Sequence, residues 1–389
     1  MSKSLDELID RRGTNCSKWD KDFGIGEKSL LPLWVADMDF PCSEAIQNAL
    51  HRRVDEQIYG YTLGMDKEYK QAIVNWLKKR FDWCIDESSI FYASGVIPAI
   101  TYLLELLSDE GDGIVIQTPV YPPFKAKIEA TKRVVVENPL INDHGYYTMD
   151  FNQLEECFKD KKVKGMILCS PHNPVGRVWN ENELRKVVEL AKRYDKWIIS
   201  DEIHCDLIRH DVKQIPLMKI AEDYKDKIIC CSAASKSFNL AGLQVSHVII
   251  NDPQLQMKWN EFVVDRLGMK SPNNFAITAL KAAYNESESW LDEVNRYIDG
   301  NFDYAIKYLQ EKLPKAVISP REGTYLMWVD LSAYCDDEKK LEKYLLANSI
   351  VVNQGYTFGE NGKGFIRINL ACPRCLVEEC VERLVEMFG

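Results

Sequence analysis

The chain has 389 residues, 46% of them hydrophobic, and carries 49 Lys and Arg against 59 Asp and Glu, a formal charge of −10. The length exceeds what one compact core usually holds, so two lobes are expected, and the apolar content excludes global disorder. The acidic balance disfavours a broad nucleic-acid or anionic-membrane surface, and the longest apolar runs fall far short of a bilayer span.

The opening stretch, MSKSLDELIDRRG, lacks the apolar core of a signal peptide, so cytoplasmic residence is expected, with no nucleic-acid or membrane partner. Twelve cysteines are scattered, several of them in strand-like runs (Cys169, Cys230, Cys231). They read as reduced thiols, and without a pair of CxxC motifs no structural metal site is expected.

From about residue 88 to 250 strands and helices alternate. IFYAS (90–94) reads as a strand running into a helix, GVIPAITYLLELL (95–107). GIVIQ (113–117) precedes a Pro-rich turn, TPVYPP, and MILCS (166–170) runs into the loop PHNPVG. In ENELRKVVELAKRYD (181–195), Leu184, Val187, Val188, Ala191 and Tyr194 form one helical stripe. Asn180 and Glu183 have capping-box spacing at its start. WIIS (197–200), IICCS (228–232) and VSHVII (245–250) are further short apolar strands. Strands without polar alternation imply a mainly parallel sheet covered on both faces. After about residue 285 a long charged helical region gives way to strand-like YLMWVDL and FIRINL, which predicts a smaller second domain.

In such a sheet, function gathers beyond the carboxyl ends of the strands. Lys236 lies there, among small and apolar residues. Its stem either snorkels or its amine is partly desolvated, which lowers its pKa and makes it a Schiff-base nucleophile. Asp201 ends WIISD, either as a turn or cap residue or as a fixed anion facing a cofactor cation. His204 follows three residues later. Asn173 sits in SPHNPVG, where a turn alone explains the composition, although its amide can donate to a phenolate. Tyr121 is either a core aromatic or a platform for a flat ring. Ser94-Gly95 opens a helix whose free N–H groups suit a phosphate. Arg367, with apolar neighbours on both sides, needs an anion: an internal carboxylate or that of a substrate. One cofactor uses an amine, an anion for a ring nitrogen, an amide for a phenolate, a stacking ring and a phosphate cradle together. That cofactor is pyridoxal 5′-phosphate (PLP).

The ordered motifs PLWVADMDF (32–40), YGYT (59–62), TPVY (118–121), CSPHNPVGRVW (169–179), SDEIHCDL (200–207), SKSFNLAGL (235–243), EGTYLMWVD (322–330) and FIRINLACP (365–373) resemble fold-type-I PLP enzymes of the aspartate-aminotransferase superfamily. The resemblance is closest to the cystathionine β-lyases of the MalY/PatB type. It implies an α/β PLP-transferase fold, with a seven-stranded, mainly parallel sheet in a large domain (48–285). A smaller α+β domain (286–389) would be joined by the N-terminal segment (1–47).

It further implies that Lys236 carries PLP and later acts as acid and base, that Asp201 pairs with the ring nitrogen, and that Asn173 and His204 address the phenolic oxygen. Tyr121 would stack on the ring. Gly95, Val96 and Ile97 would bind the phosphate through their amides, with Ser232 or Ser235 adding a hydroxyl. Tyr61 would reach the phosphate of a neighbouring subunit in a homodimer. Arg367 would hold the α-carboxylate of an amino-acid substrate, and the backbone near Ala36 and Asp37 would line the substrate side. Two departures stand out: Pro122 follows Tyr121 where some relatives have a second tyrosine, and Gln244 occupies a position that is basic in many aminotransferases. The leading expectation is a carbon–sulfur β-lyase acting on L-cystathionine or related S-conjugates. The alternatives are an aminotransferase, or a protein of this fold that mainly binds a regulatory partner.

Overall fold

The structure, a computed structural model, describes residues 4–23 and 30–389. Its centre is a seven-stranded sheet. In chain order the strands are β1 (Ile90–Ala93), β2 (Gly113–Ile116), β3 (Val134–Glu137), β4 (Val163–Cys169), β5 (Trp197–Asp201), β6 (Ile228–Ser232) and β7 (Ser246–Ile250). Their spatial order is β1-β7-β6-β5-β4-β2-β3, and only β7 runs antiparallel to its neighbours.

The expected two-sided cover is visible residue by residue. Ile90, Val115, Met166, Leu168, Ile198, Ile228, Cys230 and Ile249 join one buried cluster. Their alternate neighbours Phe91, Ile114, Ile167, Cys169, Ile199, Ile229, Cys231 and Val248 join another. Successive strand side chains point to opposite faces, so both faces are packed and polar alternation would be costly. Truncating one such residue, for example Leu168→Ala, would cost about 2–5 kcal/mol. Gly165 is required where β4 meets β5, because a Cβ there would lie 2.2 Å from the Trp197 ring.

The helix Val96–Leu107 buries Val96, Ala99, Ile100, Leu103 and Leu104, the i, i+3, i+4 stripe of an amphipathic helix. Glu181–Arg193 starts with the expected capping box of Asn180 and Glu183, and buries Leu190 as well as the predicted stripe residues up to Ala191. The strand read as 166–170 starts three residues earlier, at Val163, and ends at Cys169. The charged C-terminal region is one long helix, Glu288–Lys312, separated from Asn274–Glu286 by Ser287. It is followed by an antiparallel sheet of β8 (Val317–Ile318), β9 (Leu326–Asp330), β10 (Asn353–Gln354) and β11 (Phe365–Asn369), in the order β8-β9-β11-β10. Leu31–Pro32 pairs in parallel with Ile350–Val351. The twelve cysteines are free thiols. Among the described residues no helix is long and apolar enough to cross a membrane.

Candidate active site

A cavity of about 190 Å³ opens beyond the carboxyl ends of β4, β5 and β6. It is lined by Lys236, Asp201, Asn173, His204, Tyr121, Ser235 and Ala36, and by Ser94, Gly95, Val96 and Ile97 at the start of the helix Val96–Leu107. Strand ends deliver the first three. Asp201 is the last residue of β5, Asn173 follows β4 by four residues, and Lys236 sits on the one-turn helix Ala234–Ser237 after β6.

The Lys236 Nζ donates to the Ala36 carbonyl at 2.6 Å. Burial, and then the Arg367 charge, push its pKa down to about 8, against the pull of Asp37 and Asp201. A large neutral fraction near physiological pH makes the amine a usable nucleophile. Asp201 is buried, and burial raises its pKa to about 7 although the Ile203 N–H donates to its Oδ1 at 3.1 Å and Lys236 opposes the shift. A carboxylate so poorly compensated suits a cationic partner inside the cavity.

Arg367, on β11, is buried and crosses to the large sheet. It donates through Nη1 to Asn173 Oδ1 at 2.9 Å, and through Nη2 to the Trp34 carbonyl at 3.1 Å and Asn353 Oδ1 at 2.6 Å. Its Nε has no partner, and among the described residues no carboxylate lies within ion-pair distance of it. The internal-salt-bridge reading is therefore excluded for those residues. Burial lowers the Arg367 pKa to about 10, so a cation is held ready for an outside anion. His204 packs edge-on to Tyr325 with ring centroids 5.7 Å apart, and its buried Nδ1 has no hydrogen-bond partner. Burial holds this ring well below the ordinary histidine range, as a neutral imidazole.

The helix Val96–Leu107 has no side-chain cap at Gly95, so its first N–H groups are open to the cavity. Tyr121 meets Phe124 edge-on at 5.8 Å and presents its ring to the cavity. The loop bearing Asn173 is clamped from the C-terminal region. The Glu322 carboxylate accepts from Arg177 Nε and Val178 N, both at 2.8 Å. A Cβ on Gly323 would come within 2.8 Å of both Pro171 and Val178, so only glycine fits.

Four expected residues do not line the cavity, and of these Arg367 reaches it only through its hydrogen bond to Asn173. Ser232 ends β6 with its hydroxyl turned to Cys205 Sγ (3.6 Å) and the Glu202 carbonyl (3.4 Å), so of the two candidate serines only Ser235 lines the cavity. Asp37 turns its carboxylate to Arg11, and Ala36 alone of that pair lines the wall. Tyr61 is fully exposed and contributes nothing to the cavity of its own chain. The residues missed in sequence are Pro98, Cys169, Ile203, Ala241 and Val245, which line the cavity, together with Gln244, noted before only as a departure. Ala241 lies within SKSFNLAGL after Lys236 and Gln244 directly follows that stretch, so proximity to the lysine was the available signal. Among the described residues no group of His, Cys, Asp and Glu is placed to hold a metal ion.

The family model for aminotransferase class I and II matches residues 29–384. The chain belongs to the aminotransferase class I and II family. This aminotransferase-family chain is 37% identical over 385 residues to the cystathionine β-lyase PatB of Bacillus subtilis strain 168, covering 98% of each chain. It superposes on the structure of cystalysin from Treponema denticola, which contains a pyridoxal 5′-phosphate cofactor. The TM-score is 0.94 at 35% identity, over 100% of this chain and 99% of the other. It also matches the PLP-bound C–S lyase from Staphylococcus hominis with a TM-score of 0.93 at 36% identity, over 100% and 98% of the two chains. The family's fold, the PLP fold type I with its seven-stranded sheet, is the one described above.

Proposed function

We propose that the protein is a PLP-dependent carbon–sulfur β-lyase that cleaves L-cystathionine or related cysteine S-conjugates to a thiol, pyruvate and ammonia. The observation that carries this reading is one cavity lined by the Lys236 amine, Asp201 and Asn173, with a buried Arg367, which has no acid partner among the described residues, hydrogen-bonded to Asn173 behind that lining. The names of the relatives, cystathionine β-lyase and C–S lyase, point the same way.

The residues present fit the cofactor. An uncapped helix N-terminus at Gly95, Val96 and Ile97, with Ser235, suits a phosphate dianion. Asp201 matches a cationic ring nitrogen, and the unpartnered buried Nδ1 of His204 and the amide of Asn173 suit the phenolic side. Tyr121 offers a ring face, and Lys236 the amine that carries the cofactor. When bound, PLP supplies a conjugated ring that takes up the electron pair left as the substrate α-carbon loses its proton.

Arg367 orients the amino acid by its α-carboxylate, the interaction its unpartnered Nε leaves room for. The Lys236 amine, whose pKa of about 8 leaves part of it neutral near pH 8, receives the α-proton. The Cβ–S bond then breaks with its electron pair going to sulfur, which leaves as a thiol once protonated. Water completes the balance, releasing pyruvate and ammonia. Beside a cationic ring nitrogen Asp201 would stay ionised and would favour that nitrogen's protonated form.

The test is a visible spectrum of the purified protein before and after adding L-cystathionine, with pyruvate assayed in the same tube. We expect a yellow protein that releases pyruvate, and a Lys236→Ala variant that loses both the lysine-bound absorption and at least about 1,000-fold of the rate, as for a removed nucleophile. A protein that stays colourless with added PLP sinks the cofactor assignment. A yellow protein releasing no pyruvate from cystathionine or other S-conjugates sinks the lyase. The family also contains aminotransferases, for which the same lysine and aspartate would serve. Keto-acid-dependent exchange of the amino group would support that second reading.

The same proposal covers assembly and location. Segment 1–47 joins a small domain of residues 286–389, and residues 48–285 form the large one. The exposed stretch with Ile58, Tyr59, Tyr61 and Leu63 is apolar, which supports burial against a second copy in a cytoplasmic homodimer. Tyr61 would then reach the phosphate end of the other copy's cavity. A monomer by light scattering would overturn this.

A further inference from the structure

The wall of the cavity that receives the Lys236 amine is a segment without regular secondary structure, residues 34–40. Its Ala36 carbonyl accepts from Lys236 Nζ at 2.6 Å and from the Tyr325 hydroxyl at 2.8 Å. Just beyond it lies a compact cluster of four charges. Lys18 has a fully buried side chain, with its Nζ 2.5 Å from Asp39 Oδ2 and 3.5 Å from Asp37 Oδ1. Arg11 spans the same two carboxylates, with Nη2 2.7 Å from Asp37 Oδ2 and Nη1 2.8 Å from Asp39 Oδ1. Trp19 Nε1 adds a donor to Asp39 Oδ1 at 2.9 Å. The site chemistry described above uses none of these groups except the backbone beside Asp37.

A buried lysine is retained only where its charge is matched, and removing one partner of a buried pair exposes the field of the other. Here the match is two cations to two carboxylates. Asp37 lies close enough to Lys236 to oppose loss of its proton, alongside Asp201 on β5, and Arg367 on β11 acts the other way. His204, on the turn after β5, faces the same amine as a neutral ring. The Asp37 charge reaching Lys236 thus depends on how fully Arg11 and Lys18 cancel it.

We infer that Arg11 and Lys18 are positioning residues for Lys236: from the N-terminal segment they grip Asp37 and Asp39, hold the Ala36 carbonyl against the lysine amine, and cancel carboxylate charge that would otherwise keep that amine protonated. This deepens the role proposed for Lys236, but it concerns the amine itself, so it can be read without the cofactor.

The experiment uses the full-length chain stripped of PLP. Lys236 is labelled with acetic anhydride across pH 6–11, and the modified peptide is quantified by mass spectrometry. The unsubstituted chain should show a midpoint at about 8. Lys18→Met and Arg11→Met each leave a net negative cluster, so the midpoint should rise and labelling at pH 8 should slow by about 3-fold or more. Lys18→Arg keeps the charge and should restore the original midpoint. Asp39→Asn leaves a net positive cluster and should move the midpoint down, which decides the matter even where a methionine variant fails to fold. Unchanged midpoints in the charge-removing variants, or a midpoint at the ordinary lysine value in the unsubstituted chain, would overturn the inference. Failure of the cofactor assignment would appear separately, as a missing visible band with normal labelling shifts.

Discussion

The two walls of the cavity are built differently. On one side, Asp201, Asn173 and Lys236 stand at the ends of adjacent strands β5, β4 and β6, fixed by a backbone ladder packed on both faces. On the other side, residues 34–40 have no ladder of their own. Long-range side chains grip their backbone instead. Asn369 Nδ2 donates to the Val35 and Asp37 carbonyls, both at 2.6 Å, and Arg367 donates to the Trp34 carbonyl. Asn239 holds Met38 through both its N–H (3.0 Å) and its carbonyl (3.0 Å). The sheet wall places charges to within the tolerance of the fold. The other wall depends on individual polar groups, each of which a single substitution can remove.

Substitutions should separate the two. Asp201→Asn, on the rigid wall, should leave the fold intact yet reduce pyruvate formation by about 100-fold or more, because a lost fixed charge acts on the transition state. Steady-state kinetics should show the loss in kcat. Arg367→Met, on the other wall, should act mainly on KM, raising it by about 10- to 100-fold for a substrate held by its carboxylate. Its unfolding midpoint should fall only slightly, because removing a buried cation with no acid partner among the described residues offsets the loss of its hydrogen bonds to Asn173, Trp34 and Asn353. A sharp drop in thermal stability would show that Arg367 is structural rather than poised for a ligand. Asn369→Ala should cost about 1–3 kcal/mol in urea unfolding by leaving two buried carbonyls without their donor.

The smallest effect is on stability against pH in the cofactor-free chain. Asp201 and Glu202 are both held at about 7 by burial, against ordinary values of 3.8 and 4.5. These two carboxylates therefore contribute stability that falls as pH rises from about 4 to 7, whereas buried His172, His204 and His247, held below the ordinary histidine value, contribute in the opposite sense up to about pH 6.5. Lys236 shares the sense of the histidines: at about 8 against 10.5, it gives up its proton earlier when folded, so its contribution rises from about pH 8 upward. Thermal melts of the unsubstituted chain and of Asp201→Asn isolate the Asp201 contribution: the midpoint of the unsubstituted chain minus that of the variant should fall as pH rises from about 4 to 7.

The same contrast explains what could be read in advance. Asp201, Asn173 and Lys236 were legible because each lies at the end of a short apolar run or within four residues of it, and a buried strand ends where polar residues begin. The capping box at Asn180 was legible because its two partners are three residues apart. Trp34 and Asn239 were not, because their bonds join segments about 200 residues or more apart, or end on backbone carbonyls that any residue supplies. Ser232 and Ser235 looked equivalent in sequence. They part because one ends a strand facing Cys205 and the other opens toward the cavity. Arg11 and Lys18 gave no signal at all, since a charged residue near a chain start reads as solvated surface.

The position of β1 has a consequence for synthesis. This apolar strand lies at the edge of the sheet and pairs only with β7, about 150 residues further along the chain. At about 5–20 residues per second, a ribosome needs roughly ten to thirty seconds to deliver that partner. Through that interval the strand leading into the cavity-lining helix Val96–Leu107 waits without the one strand that pairs with it among the described residues. Arg367 emerges later still, so the pocket is complete only when translation is almost finished, and a nascent chain has no finished place to hold a cofactor.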